Sequence, residues 1–226
     1  MSPKRGGAEG SLTRGRIFTI AQQKGGAGKT TLAAHLAVAW AADGGRRVAL
    51  LDVDPQGSLG QWLEARERRL GAEGTGLGFR TASGWGARRE AENLARDHDI
   101  VVIDTPPHAD IKGRTPMGVA DRVVVPVQPT PVDLWATRET LTMAARERVP
   151  AILVLNRVPP RARLTAAMDE AIDEFGCRVS CTRLGNRVAF AESIGIGAAA
   201  TETHGKGKAA FEARALAREL MAWAAA

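Results

Sequence analysis

The sequence predicts an α/β fold in three layers, a mostly parallel and twisted β-sheet with helices packed on both of its faces. Strand-like runs alternate with helix-like runs along the chain, which is typical of βαβ units with right-handed crossovers. The strand-like runs are nearly continuous in valine, isoleucine and leucine, which indicates strands that are covered on both faces. With 226 residues, 44% of them hydrophobic, the chain is long enough to bury one full core.

The predicted elements begin after an N-terminal tail. Residues 1–14 are rich in glycine, serine and basic side chains, so we expect a flexible tail followed by a single domain over residues 15–226. A helix is predicted over Thr31–Ala42, and the glycine-rich residues 71–89 are interpreted as an irregular loop. The strands are predicted over residues 15–21, 46–52, 99–104, 121–127, 151–155 and about 177–184.

A glycine-rich segment separates the first predicted strand from the first predicted helix. Its sequence is Lys-Gly-Gly-Ala-Gly-Lys-Thr-Thr over residues 24–31. A strand, a glycine loop and a helix in that order form a phosphate cradle of backbone N–H groups, which indicates a P-loop NTPase fold. Lys29 would neutralise charge on the β- and γ-phosphates of ATP, and the Thr30 hydroxyl would bind Mg²⁺. The predicted nucleotide-binding residues of this loop are Gly25, Gly26, Ala27, Gly28, Lys29, Thr30 and Thr31.

Carboxylates lie where two of the predicted strands end. Asp52 and Asp54 come at the end of the second strand, and Asp104 ends the third. Open α/β sheets bind ligands at the C-terminal ends of their strands. A carboxylate there can hold Mg²⁺ through its water shell or position an attacking water. We therefore expect these three side chains to share one site with the glycine loop.

The loop departs from the usual P-loop pattern, and the departure points to a family. Gln23 stands where a glycine normally precedes the lysine by six residues, and an additional lysine, Lys24, follows it. This arrangement resembles the deviant P-loop of the ParA/MinD family of ATPases. Asp52-Val53-Asp54-Pro55-Gln56 resembles the second motif of that family, and Asp104-Thr105-Pro106-Pro107 resembles its Walker B strand end. The resemblance covers nearly the whole chain from about residue 15, and it matches short ParA-type proteins without an N-terminal helix-turn-helix.

The resemblance implies a role for each of these side chains. Lys24 matches the signature lysine, which reaches across a dimer interface to the ATP of the other subunit. Asp54 would orient the hydrolytic water, Asp52 would support the metal site, and Asp104 would hold the Mg²⁺ shell. The implied catalytic residues are Lys24, Lys29 and Asp54, and the implied metal-site residues are Thr30, Asp52 and Asp104.

Two later segments also resemble the family. The predicted strand 151–155 ends in Asn156, and in the family an asparagine there reads the adenine edge. A side-chain amide suits this role because it donates and accepts hydrogen bonds at once. The segment Val123–Leu134 resembles small family members, in which the loop after this strand lies near the dimer interface.

The charge of the chain is consistent with a nucleic-acid partner. Its formal net charge is +6, with a pI of about 10.0. The 25 arginines against 6 lysines indicate a GC-rich genome, so part of the basic bias is compositional drift. Those family members that bind DNA without sequence preference do so through basic residues of the C-terminal half, and such phosphate contacts give salt-sensitive affinity. The candidate DNA-binding residues are Arg161, Arg163, Arg187, Lys206, Lys208, Arg214 and Arg218.

The function that the resemblance implies is that of a partitioning ATPase. Such a protein dimerises on ATP, binds DNA, and positions a plasmid, a chromosome region or a protein cluster. A ParB-like or other adaptor stimulates its slow hydrolysis, which resets the switch. With no signal peptide and no run of about 20 apolar residues, we expect a cytoplasmic, nucleoid-associated protein.

Two alternatives stay open on the sequence. Metabolic relatives such as dethiobiotin synthetase use similar loops to phosphorylate a carboxylate. A MinD-like protein would instead bind a membrane through its C-terminal helix, and Phe211, Leu216, Leu220 and Trp223 fall on one helical stripe, although core packing explains that stripe equally well. A nitrogenase-iron-protein-like role is set aside, because Cys177 and Cys181 have the wrong spacing for a shared iron–sulfur cluster.

Overall fold

Seven parallel strands form the central layer of the protein. The structure is a computed structural model that describes residues 14–107, 116–160 and 170–226. The strands are β1 (Arg16–Ile20), β2 (Val48–Asp52), β3 (Gly78–Thr81), β4 (Ile100–Asp104), β5 (Arg122–Val127), β6 (Ala151–Leu155) and β7 (Arg178–Val179). Their order across the sheet is β3-β2-β4-β1-β5-β6-β7, and each neighbouring pair is parallel. The predicted α/β class and parallel sheet are confirmed.

Helices cover both faces of this sheet. They are α1 (Lys29–Ala42), α2 (Ser58–Leu70), α3 (Ala87–Asp97), α4 (Pro131–Arg146), α5 (Val188–Gly195), α6 (Ala200–Thr203) and α7 (Lys208–Ala225), with 3₁₀ turns at Glu73–Thr75 and Pro116–Val119. Helices α1, α2 and α7 pack on one face, and α3 and α4 pack on the other. Since side chains of a strand alternate between faces, Phe18 and Ile20 join the first cluster and Ile17 joins the second.

Helix α1 is buried on nearly all sides, which is why its sequence has no polar stripe. Trp40, 1% exposed, stacks on Phe18 with ring centroids 4.8 Å apart. Its indole Nε1 donates a hydrogen bond of 2.9 Å to the Ala217 carbonyl of α7. A single side chain thus links the central strand β1, α1 and the C-terminal helix.

Replacement of Trp40 by alanine should be severely destabilising. We expect a loss of about 3–5 kcal/mol in the free energy of unfolding, because the change leaves a large cavity and removes the indole hydrogen bond to Ala217. Urea titration followed by circular dichroism measures it. Trp135→Ala is the matched control, since Trp135 is 72% exposed and its removal should cost less than about 0.5 kcal/mol. Equal losses in the two variants would contradict this account of the core.

The interpretation of residues 71–89 as an irregular loop was wrong. The segment contains the edge strand β3 and a 3₁₀ turn, and α3 begins within it at Ala87. The four residues of β3 include a glycine and an arginine, so they lack the apolar pattern of a buried strand. Gly78 leaves room for its neighbours there, because a Cβ atom would lie 2.4 Å from His98 Nε2 and 3.2 Å from Ala49 Cβ and would force these side chains to shift. At the other edge, β7 covers only two of the predicted residues 177–184.

The C-terminal helix packs its apolar stripe into the core. Leu216 and Leu220 are fully buried and Trp223 is 9% exposed, whereas Phe211 is 67% exposed and lies outside the stripe. The sequence pattern of four residues therefore splits into three core residues and one surface residue. Within the described part of the chain, every helix is too short or too polar to cross a membrane.

Candidate nucleotide-binding site

The glycine loop wraps around the N-terminus of α1 at the centre of the sheet. Gly26 and Gly28 have φ angles of +76° and +91°, a backbone conformation that glycine adopts without strain. Gly28 caps α1, and a Cβ on it would lie 2.6 Å from the Asn156 Nδ2 atom. The loop thus presents the N–H groups of the helix start, which is the geometry that binds phosphate.

Lys29 extends back into this loop. Its side chain is 6% exposed, and Nζ donates hydrogen bonds to the carbonyls of Gln22 at 3.1 Å and Lys24 at 3.3 Å. Burial lowers the pKa of Lys29, with the carboxylates of Asp104 and Asp54 acting in the opposite direction. An ammonium group that contacts mainly carbonyl dipoles is well suited to an anion such as a phosphate.

Thr30 and Asp104 meet directly beneath the loop. The Thr30 hydroxyl donates a 2.6 Å hydrogen bond to Asp104 Oδ2, while the buried Oδ1 of Asp104 has no hydrogen-bond partner among the described residues. Burial raises the pKa of Asp104 to about 7. A buried carboxylate oxygen beside a hydroxyl fits Mg²⁺, which is usually held by one or two carboxylates together with substrate phosphates and waters. Thr30 and Asp104 therefore fit the Mg²⁺ site that the sequence implies.

The raised pKa of Asp104 predicts a pH-dependent stability. Between about pH 4 and pH 7 the folded state binds more protons than the unfolded chain, so the free energy of unfolding falls as pH rises, by up to about 1.4 kcal/mol per pH unit. Asp104→Asn should flatten this dependence and stabilise the protein most at about pH 8. Urea titrations without Mg²⁺ or nucleotide would show it. Asp97→Asn, at an exposed site, should follow wild type; an Asp104→Asn curve parallel to wild type would refute the prediction.

Asp52 and Asp54 lie at the C-terminal ends of the strands, on the same side as Asp104. Asp52 is the register partner of Asp104 across the β2–β4 pair. Its two carboxylate oxygens accept hydrogen bonds from the N–H groups of Asp54 (3.0 Å) and Gly60 (3.1 Å). Asp54 is half-buried, and its Oδ1 accepts from the Gln56 N–H. Asp52 thus fixes the segment that carries Asp54 and the start of α2.

Asn156 is in contact with the loop. Its Nδ2 donates a 2.9 Å hydrogen bond to the Ala27 carbonyl, and its Oδ1 accepts from the Arg157 N–H. Thr31 and Asn156 also line one pocket of about 560 Å³, which extends to the Leu184–Ala191 segment and to α7. This pocket is the space next to the phosphate cradle in which a nucleoside can lie.

Lys24 pairs with a residue that sequence reasoning left unassigned. Its Nζ lies 2.5 Å from Asp133 Oδ2; the Asp133 side chain is fully buried and that of Lys24 is 32% exposed. Thr130, the N-cap of α4, also donates to this carboxylate. Further along the same face of α4, the Thr140 hydroxyl accepts from the Gln23 N–H. Helix α4 therefore holds the entrance of the loop.

Two more side chains support the loop from the next strands of the sheet. Gln128 Nε2 and Arg157 Nη1 both donate to the Gly26 carbonyl, at 2.8 and 3.2 Å. Arg157 has a φ of +51°, a backbone conformation that is uncommon for residues other than glycine. Both residues follow strand ends, and that position was the signal by which the sequence could have assigned them to the site.

The candidate DNA-binding residues are not equivalent in the structure. Lys206, Lys208 and Arg218 are exposed. Arg187 instead forms an ion pair with Glu212, with a 2.8 Å hydrogen bond from Nε to Oε2, so that its charge is balanced. The other candidates are Arg214, which donates to the carbonyls of Thr201 and Gly205, and Arg161 and Arg163, which lie outside the described residues.

Comparison with known families accounts for this arrangement. Residues 18–197 match the CbiA family, described as the CobQ/CobB/MinD/ParA nucleotide binding domain. The chain belongs to this family. The match covers most of the chain, including the loop, the three aspartates and Asn156, so the ParA/MinD resemblance of the sequence is confirmed.

Individual members of the CobQ/CobB/MinD/ParA family resemble the chain over nearly their full length. The maintenance of carboxysome distribution protein A of Halothiobacillus neapolitanus is 31% identical over 209 residues, 89% of this chain and 94% of that protein. The chromosome-partitioning ATPase Soj of Thermus thermophilus is 31% identical over 239 residues, 92% and 96% of the two chains. The structure of the Pyrococcus furiosus cell division ATPase MinD has a TM-score of 0.78 at 21% identity, covering 92% and 99%, and shows the shared fold.

Proposed function

We propose that this protein is a ParA-like ATPase that dimerises on ATP, binds DNA without sequence preference and positions a cargo, with hydrolysis resetting the switch. The observation that carries the proposal is the pair of lysines on one loop. Lys29 is buried inside the loop, and Lys24 lies at its entrance with a partly exposed amine. Relatives similar over nearly their full length, a carboxysome distribution protein and a chromosome-partitioning ATPase, support positioning over metabolic chemistry.

Each part of the site has a place in the proposed reaction. Lys29 and the loop N–H groups would bind the β- and γ-phosphates, and Thr30 and Asp104 would hold Mg²⁺, with Asp52 acting through the segment it fixes. Mg²⁺, when bound, would neutralise phosphate charge as the γ-phosphoryl group leaves. Asp54 would orient the attacking water, and Asn156 would contact the adenine. Lys24 would leave Asp133 and reach the γ-phosphate bound by a second subunit.

The C-terminal region supports DNA over lipid as the surface on which the protein acts. The apolar stripe of α7 is used in the core, so it does not offer a continuous lipid-binding face. Lys208 and Arg218 on α7 and Lys206 just before it are exposed cations and suit contacts with backbone phosphates. We therefore place the protein at the nucleoid, where an adaptor protein would stimulate its slow hydrolysis.

The ATP-dependent dimer is tested by mass measurement in solution. Sedimentation velocity of the wild-type protein should show a monomer without nucleotide and with ADP, and a dimer with ATP and Mg²⁺. The Asp54→Ala variant, in which hydrolysis should be strongly slowed, should make the dimer persistent. A wild-type protein that binds ATP and stays monomeric at all concentrations would contradict the proposal.

Lys24→Ala separates action in trans from nucleotide binding. Because Lys24 Nζ pairs with Asp133 rather than facing the inside of its own loop, the variant should bind ATP within about threefold of wild type but lose most of its hydrolysis or its dimer. Isothermal titration calorimetry and a phosphate-release assay measure the two effects. Wild-type behaviour in both assays would exclude a role in trans.

A further inference from the structure

His35 carries a hydrogen-bond acceptor that no residue in the described part of the chain uses. It lies on α1 one turn after Thr31 and is 2% exposed. Its Nδ1 is 2.8 Å from the Thr31 carbonyl oxygen, and because a carbonyl only accepts, Nδ1 must bear the hydrogen. Burial lowers the pKa of His35 to about 4, which keeps the ring neutral near pH 7. The remaining nitrogen, Nε2, is therefore an acceptor only.

This Nε2 atom is buried and has no hydrogen-bond partner among the residues that the structure describes. Buried side-chain nitrogens in native proteins nearly always have a partner, either protein or ordered water. An unpaired acceptor in a packed interior is costly, so a donor from outside the described side chains is expected to reach it. The ring thus has one edge fixed to the backbone and a buried acceptor on its other edge that no described residue uses.

The location of His35 indicates what supplies that donor. His35 lines the same pocket of about 560 Å³ as Thr31 and Asn156, the pocket next to the phosphate cradle. Phe190, partly buried on α5, meets the His35 ring edge-on with centroids 5.0 Å apart and lines the same pocket. A nucleotide with its phosphates at the glycine loop would have its nucleoside in the space that these two rings border.

We propose that His35 Nε2 accepts a hydrogen bond from an N–H or O–H group of the bound nucleoside and so contributes to nucleotide selectivity. This inference rests on the nucleotide binding of the proposed function. The donor is either the exocyclic amine of adenine or a ribose hydroxyl. A nucleoside that lacks this donor loses the hydrogen bond and leaves Nε2 unpaired.

A cycle of protein variants and nucleotide analogues tests the proposal. Wild type, His35→Phe and His35→Gln are titrated calorimetrically, with Mg²⁺, against ATP, purine riboside triphosphate, 2′-deoxy-ATP and 3′-deoxy-ATP. The first analogue lacks the adenine amine and the other two each lack one ribose hydroxyl. Wild type should bind one analogue about three- to tenfold more weakly than ATP, the range expected for one hydrogen bond. That analogue identifies the donor.

The variants decide whether His35 is the acceptor. His35→Phe keeps a ring of similar size without an acceptor, so it should bind ATP about three- to tenfold more weakly than wild type and lose the discrimination. His35→Gln keeps a side-chain acceptor and should restore part of it. If the ratios of affinity among the four nucleotides are the same in all three proteins, including the case in which every protein binds all four equally well, His35 has only a structural role and the inference is overturned. Should wild type fail to bind ATP at all, the proposed function fails instead. If His35→Phe does not fold, the same comparison is made with His35→Gln and His35→Leu.

Discussion

Replacing Lys29 with alanine is expected to abolish ATP binding. Charge-assisted hydrogen bonds contribute about 1.5–3 kcal/mol each, and the Lys29 ammonium is positioned inside the loop to make more than one. The loss in affinity should therefore be at least about 100-fold. Isothermal titration calorimetry with ATP and Mg²⁺ measures it, and Lys206→Ala, which removes an exposed lysine, should bind as wild type does.

The folded state should tolerate this change. Burial lowers the pKa of Lys29, so the protein without nucleotide holds a charge that its surroundings disfavour. Lys29→Ala should consequently unfold at a urea concentration no lower than wild type. A variant that keeps its affinity for ATP would contradict the assignment of the glycine loop as the phosphate cradle. A loss of affinity in a well-folded protein would support it.

The second large effect is expected at Asp54. Asp54→Ala should lower the rate of ATP hydrolysis by about 10²–10⁴-fold, the range typical for loss of a group that handles the attacking water. Affinity for ATP should change little, because Asp54 lies two residues beyond β2, outside the glycine loop, and its Oδ1 accepts a hydrogen bond from the Gln56 N–H. Phosphate release measured under single-turnover conditions separates chemistry from product release.

A matched carboxylate provides the control for Asp54. Asp97 is exposed near the start of β4, at the edge of the sheet opposite the glycine loop, and Asp97→Ala should hydrolyse ATP at the wild-type rate. The ATP-bound dimer of Asp54→Ala should persist for longer than that of wild type. Turnover at the normal rate in Asp54→Ala would contradict the water-positioning role.

The parts of the fold that the sequence predicted correctly are those whose signals are local. Strands β1, β2 and β4 are short apolar runs that end in a glycine loop or in aspartates, so pattern and motif agree at each of them. The parallel register then brings Asp52 next to Asp104. The edge strands were harder, because β3 and β7 form through pairing with a neighbour that is already in place, and their own residues are mixed in polarity.

The same distinction applies to the site. Lys29, Thr30 and Asp104 were predicted because they belong to compact motifs. Asp133 and His35 were not, because their roles depend on which helix face packs against which loop. Asp133 contacts Lys24 from 109 positions away, and a sequence pattern carries no direct sign of such a contact. The buried stripe of α7 likewise became clear only from its packing against α1.

The central claim is that ATP switches this protein between a free form and a DNA-bound form. Binding to random-sequence duplex DNA, measured without nucleotide, with ADP, and with ATP and Mg²⁺ across a salt series, tests it most directly. We expect binding only with ATP, with an affinity that falls steeply as salt rises because phosphate contacts release counterions. A combined Lys206→Ala, Lys208→Ala and Arg218→Ala variant should bind less DNA while keeping its ATP affinity. ATP binding with no affinity for DNA in any nucleotide state would contradict the claim.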